Sequence, residues 1–120
     1  ARTVFANENA DCHIALHYDS SENDKGFFNI SVPNIDSYRS IEPVASYWHE
    51  HMKLGDAILS GIKDKELKIF SNGSMVIDLT QTSYSTIPSV DIEVGDKVSD
   101  ISKETQTKMS EGILRELYFK

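Results

Sequence analysis

Ser89-Val90-Asp91-Ile92-Glu93-Val94 alternates without a break: Val90, Ile92 and Val94 fall on one face, Asp91 and Glu93 on the other. A period of two over such a run is a β-strand with one face against a core. Gly95 is expected to end it. Residues 10–17 (ADCHIALH) repeat the pattern, with Cys12, Ile14 and Leu16 on one face and His13, Ala15 and His17 on the other. They predict a buried strand that closes at His17. The polar stretch 19–26 (DSSENDKG) reads as a loop. Phe27, Phe28 and Ile30 predict a short strand before Pro33, and residues 75–79 (MVIDL) predict another.

Between these runs the period changes. Over residues 43–63, Val44, Trp48, Met52, Gly55, Ile58, Leu59 and Ile62 recur at intervals of three and four, while Glu50, Lys53, Asp56 and Lys63 take the other side. That is an amphipathic helix, and Pro43 suits its start. A second helix is expected over 102–118, with Ser102 as its cap, Glu104 in its first turn, and Met109, Ile113 and Leu117 as its stripe. Residues 1–9 (ARTVFANEN) read as the last turns of a further helix, with Val4 and Phe5 as its apolar contacts. A helix that opens uncapped at a chain terminus predicts a domain that began upstream. The order helix, strand, strand, helix, strand, strand, helix predicts an α/β fold, a sheet covered by helices.

The chain has 120 residues, of which 39% are hydrophobic, enough for one domain and too few for two. Nineteen acidic residues against 12 basic ones give a formal charge of −7. No cluster of Lys and Arg offsets that balance, which disfavours nucleic acid and anionic membrane surfaces as partners. The single cysteine, Cys12, has no partner for an internal disulfide and reads as a small buried residue. No apolar run is long enough to span a bilayer. The chain opens on Ala1-Arg2-Thr3 with no signal peptide and no initiating Met, which suggests a mature or excised piece.

Two predicted strands end on a residue able to do chemistry: His17 closes one and Glu93 nearly closes another. In open α/β sheets, sites gather in the crevice outside the carboxyl ends of strands. A neutral imidazole binds zinc, and a carboxylate beside it can take a proton from activated water. From the pattern alone His17 also reads as a half-buried structural residue. Glu93 also reads as a solvent-facing or ion-paired carboxylate, and Asp91 and Asp78 are weaker candidates of the same kind. His49-Glu50-His51 is a decoy. Histidines two apart point to different sides of a helix, whereas the metalloprotease helix needs H-E-x-x-H. His51 is expected to pack and His49 to face solvent. The sequence contains no Walker loop, G-x-G-x-x-G, G-x-S-x-G or paired C-x-x-C, and nothing supports activation of Ser20 or Ser21 as a nucleophile.

These residues, taken in order, resemble the amidase-3 family of N-acetylmuramoyl-L-alanine amidases. Arg2, Ala6-Asn7 and Ala10-Asp11 are similar to the helix-to-strand passage before the family's second histidine ligand. Ala15-Leu16-His17-Tyr18-Asp19 is similar to its S-I-H-x-N motif, and Gly26-Phe27-Phe28 to the glycine-and-aromatic strand that follows. Residues 87–95 (IPSVDIEVG) resemble the P-a-v-L-v-E-v-G segment, and Gln106 with Met109 to Ile113 the closing helix. The chain departs from the family at Ala15 and Asp19, where the motif has Ser and Asn. It departs again at Asp96, in place of an aromatic, and at Ser99-Asp100, where the interval is altered.

The resemblance implies a mixed, largely parallel sheet flanked by helices, with residues 1–120 as the C-terminal portion of one catalytic domain. It implies zinc-dependent hydrolysis of the amide between N-acetylmuramic acid and L-alanine in bacterial peptidoglycan, with His17 as a zinc ligand and Glu93 as the catalytic carboxylate. It places the protein outside a bacterial cell or in its wall, or in a phage that attacks that wall. The family's D-P-G-H-G strand and a further glutamate ligand are not in these residues. Catalytic zinc takes three protein ligands and an open position. The expected partners are therefore peptidoglycan and an upstream segment of the same domain, and the isolated chain is expected to hold zinc poorly. The alternative is an inactive module that keeps the fold and binds peptidoglycan or a protein.

Overall fold

The computed structural model describes residues 2–19, 26–31, 36–76, 80–96 and 102–118. The elements are α1 (Arg2–Asn9), β1 (His13–Asp19), β2 (Phe27–Ser31), α2 (Asp36–Arg39), α3 (Val44–Asp64), β3 (Ile69–Val76), α4 (Thr80–Tyr84), β4 (Ser89–Asp96) and α5 (Lys103–Tyr118). The four strands form one sheet in the order β1-β4-β2-β3. β1 runs parallel to β4 and β2 parallel to β3, while β2 and β4 are antiparallel. The architecture is thus α/β with a mixed, largely parallel sheet.

The central strands explain the sequence pattern. β2 lies between β4 and β3, and Phe27, Phe28, Asn29 and Ile30 are all buried. Asn29 escapes the cost of an unpaired buried amide by donating to the Gly55 carbonyl of α3 (3.2 Å). On the same face, Phe27, Val90 and Ile92 meet Ile58, Leu59 and Ile62 of α3. Each fully buried side chain of this size stabilises the fold by roughly 1.5–3 kcal/mol. α5 lies along α3 and adds Met109 and Ile113 to the same core. The two helices come so close that a Cβ on Gly112 would sit 2.8 Å from the Gly61 carbonyl oxygen.

β1 behaves differently from the expected buried strand. It begins at His13 and runs past His17 to Asp19, and it lies at the sheet edge. Ile14 reaches the core, but Leu16 is 61% exposed. Alternation reports which residues share a face; it does not report whether anything covers that face. The same limit shows in α1. Val4 and Phe5 are 58% and 69% exposed, and the buried residue is Ala6. Cys12 is half-buried rather than buried, and burial, aided by the charge of Asp11, raises its thiol above the ordinary value.

Other boundaries shift by less. α3 and α5 agree with the predicted helices to within a residue, and the Thr105 N–H donates to the Ser102 Oγ as an N-cap should (3.2 Å). β4 extends through Gly95 to Asp96. The third predicted strand is found earlier, at Ile69–Val76; the rest of the 75–79 prediction, Asp78 included, lies outside the described residues. α2 and α4 have no counterpart in the sequence prediction: at four and five residues, neither spans enough turns to show a period.

Candidate functional site

β1 and β4 bring the two sequence candidates together. In their parallel register Ala15 pairs with Asp91 and His17 with Glu93. Partners in adjacent strands are about 5 Å apart and point to the same face. Since the strands are parallel, His17 and Glu93 also share a rim, the one at the carboxyl ends. That face is the one opposite Val90 and Ile92, and therefore opposite α3. β2 continues the row from the other side, with Phe28 beside Glu93 and Ile30 beside Asp91.

The row is graded in depth. The His17 side chain is 46% exposed and that of Asp91 only 5%, with Nε2 and Oδ1 3.0 Å apart. Glu93 is half-buried. Asp91 is flanked by Ala15 in one strand and buried Ile30 in the other, which accounts for its depth. Its second oxygen, Oδ2, is buried with no hydrogen bond among the described residues. Sequence reading ranked Asp91 below Glu93. The signal that could have raised it was its position two before Glu93, on the same face and one step nearer the middle of the strand.

Of the other histidines, His49 and His51 divide as expected. His51 is buried, and the Ser89 N–H donates to its Nδ1 at 3.0 Å. Burial lowers its basicity, against the opposing pull of the Thr82 backbone and the Glu50 charge. His49 is exposed and its ring lies beside Trp48, with centroids 3.4 Å apart. Neither belongs to the row. Ser20 and Ser21 lie outside the described residues.

An imidazole at the rim and a carboxylate beside it are donors of the kind zinc takes. The described residues nonetheless contain no group of three or more His, Cys, Asp or Glu that could hold a metal. His17 and Glu93 are thus donors that suit zinc, and they do not complete a site for it among the described residues.

No protein-family model matches the chain, and no curated protein matches it by sequence. Solved structures do match, and they define the fold as that of the N-acetylmuramoyl-L-alanine amidases. The apo form of Ami1 from Mycobacterium abscessus superimposes with a TM-score of 0.72 at 17% identity, over 97% of this chain and 57% of the other. AmiC2 of Nostoc punctiforme gives 0.70 at 19% identity, over 97% of this chain and 61% of its own. CwlD from Clostridioides difficile, solved in complex with the GerS lipoprotein, gives 0.67 at 18%, over 98% and 59%. The chain thus spans less than two thirds of the length of each of these amidases. No helix among the described residues is long and apolar enough to cross a membrane.

Proposed function

We propose that residues 1–120 are the C-terminal portion of a zinc-dependent N-acetylmuramoyl-L-alanine amidase domain. It would cleave the amide between N-acetylmuramic acid and L-alanine in bacterial peptidoglycan, outside the cell or in its wall. The observation that carries the reading is the register of His17 against Glu93 at one rim of an amidase-like sheet. His17 is proposed as a zinc ligand and Glu93 as the catalytic carboxylate. The remaining ligands come, in this proposal, from a segment upstream of these residues.

Zinc, when bound, supplies Lewis acidity, lowering the pKa of a coordinated water and polarising an amide carbonyl. The residues of this chain do the rest. His17 presents a ring nitrogen at an exposed rim that a long polymer can reach. Glu93, beside it, takes the proton of the attacking water as general base and delivers it to the departing amine of L-alanine.

The test uses the domain completed by its upstream segment. Glu93→Gln should abolish muropeptide hydrolysis and keep stoichiometric zinc, whereas His17→Ala should lose the metal. Zinc loss in the Glu93 variant, or full zinc in the His17 variant, would show that the roles are misassigned.

A second reading has one observation in its favour: the described residues do not close a three-ligand set. In that reading the fold survives as a module that binds peptidoglycan or a protein without cutting. Binding to purified sacculi together with chelator-insensitive absence of hydrolysis would select it.

A further inference from the structure

We propose that Asp91 is a positioning residue for His17: it holds Nε2 of the imidazole and leaves Nδ1 as the nitrogen that faces outward to bind metal. The metal-facing half rests on the reading of His17 given above; the pairing itself rests on geometry alone.

A neutral imidazole has one N–H donor and one lone pair, and an ionised carboxylate can only accept. With Nε2 and Asp91 Oδ1 3.0 Å apart, the proton belongs on Nε2 and the lone pair on Nδ1. A carboxylate that fixes the tautomer of a histidine in this way is the usual outer partner of a metal-binding imidazole. Asp91 is well built for it. Its side chain is 5% exposed and is set by strand register between Ala15 and Ile30. A short side chain on a central strand, enclosed on both sides, has little freedom to drift.

The position is also where this chain parts from the motif it resembles. In P-a-v-L-v-E-v-G the matching residue is Leu, which accepts no hydrogen bond, and Asp91 stands there instead. Motif resemblance therefore predicts no partner for His17 at this site, and the fold supplies one. A carboxylate with one buried oxygen left without a hydrogen bond among the described residues is an unfavourable choice for packing alone. Its other oxygen meets the His17 imidazole.

Two measurements test the proposal. The first needs no metal: nitrogen-15 shifts of the His17 ring in the chain itself, at a pH where the ring is neutral. The wild type should show an Nε2–H tautomer, Asp91→Asn should retain it through its amide oxygen, and Asp91→Leu should give a mixture. An Nδ1–H wild type, or the same tautomer ratio in the Leu variant, overturns the pairing. The second is zinc affinity in the completed domain. Asp91→Leu should weaken it by about 10–100-fold, the usual scale for loss of an outer partner, with Asn in between. Unchanged affinity would make the pair merely structural, and loss as complete as in His17→Ala would make Asp91 a ligand; either overturns the proposal. Wild-type protein with no zinc but an intact Nε2–H signature removes the metal reading and upholds the Asp91–His17 positioning.

Discussion

The Ser89 backbone N–H donates to His51 Nδ1 across 3.0 Å, tying the middle of α3 to the first residue of β4. The bond requires a neutral ring with its lone pair on Nδ1, and a protonated ring would have a donor facing a donor. The folded protein therefore resists protonation of His51, in line with the lowering caused by its burial.

This link predicts a pH dependence of stability. In the unfolded chain His51 titrates near 6.5; in the fold it titrates lower. Its contribution is full above the unfolded value and is lost as pH falls toward the folded one, because the unfolded state then binds the extra proton. Denaturant titrations of the wild type and of His51→Gln at pH 7.5 and 5.5 should differ in slope. The wild type should lose up to about 1.4 kcal/mol more than the variant. Parallel losses would remove His51 as the sensor.

Gly26 precedes β2 with φ +91°, and a Cβ placed there would lie 2.8 Å from the Lys68 carbonyl oxygen. The same carbonyl accepts the Phe27 N–H at 2.9 Å, so neither strand can move aside without losing a ladder bond. Strain and overlap act in the same direction. Gly26→Ala should destabilise the protein by about 2 kcal/mol, read as a fall in Tm of several degrees. A variant as stable as the wild type would mean that the approach of Gly26 to Lys68 is wrong.

Ser102 caps α5 through the Thr105 N–H. Ser102→Ala should cost about 1 kcal/mol, and Ser102→Asp should recover it. Because α5 adds Met109 and Ile113 to the core beside α3, hydrogen exchange should accelerate in α5 before it does in α3. Unchanged exchange throughout α5 in the Ala variant would show that the cap contributes nothing.

Much of this structure is legible in the sequence where burial and period agree. α3 shows its stripe because one face meets the sheet, and β4 shows its alternation because Val90 and Ile92 are core. The alternation also placed His17 and Glu93 each on a definite face; the register that pairs them is a tertiary fact that no single strand contains. β1 misled because a strand at an edge alternates like one in the middle, and Val4 and Phe5 misled because an apolar side chain in the sequence says nothing about what lies against it. The His17–Asp91 bond was hidden for the same reason as the register: it joins residues 74 apart.

That bond has a consequence for stability that separates it from ordinary packing. Asp91 has one oxygen on His17 and one buried oxygen without a hydrogen bond among the described residues. An unmet buried acceptor costs about 1–3 kcal/mol, whereas a hydrogen bond to a charged group returns about 1.5–3 kcal/mol at best. His17 is half-exposed, so water can replace the lost partner. Asp91→Leu removes the unmet oxygen and adds apolar surface between Ala15 and Ile30. The expected outcome is a protein more stable by about 1 kcal/mol, or roughly 4 °C in Tm, and poorer at whatever chemistry His17 performs. A clear loss of stability in the Leu variant would mean that the second oxygen is satisfied and that the carboxylate belongs to the architecture of the sheet.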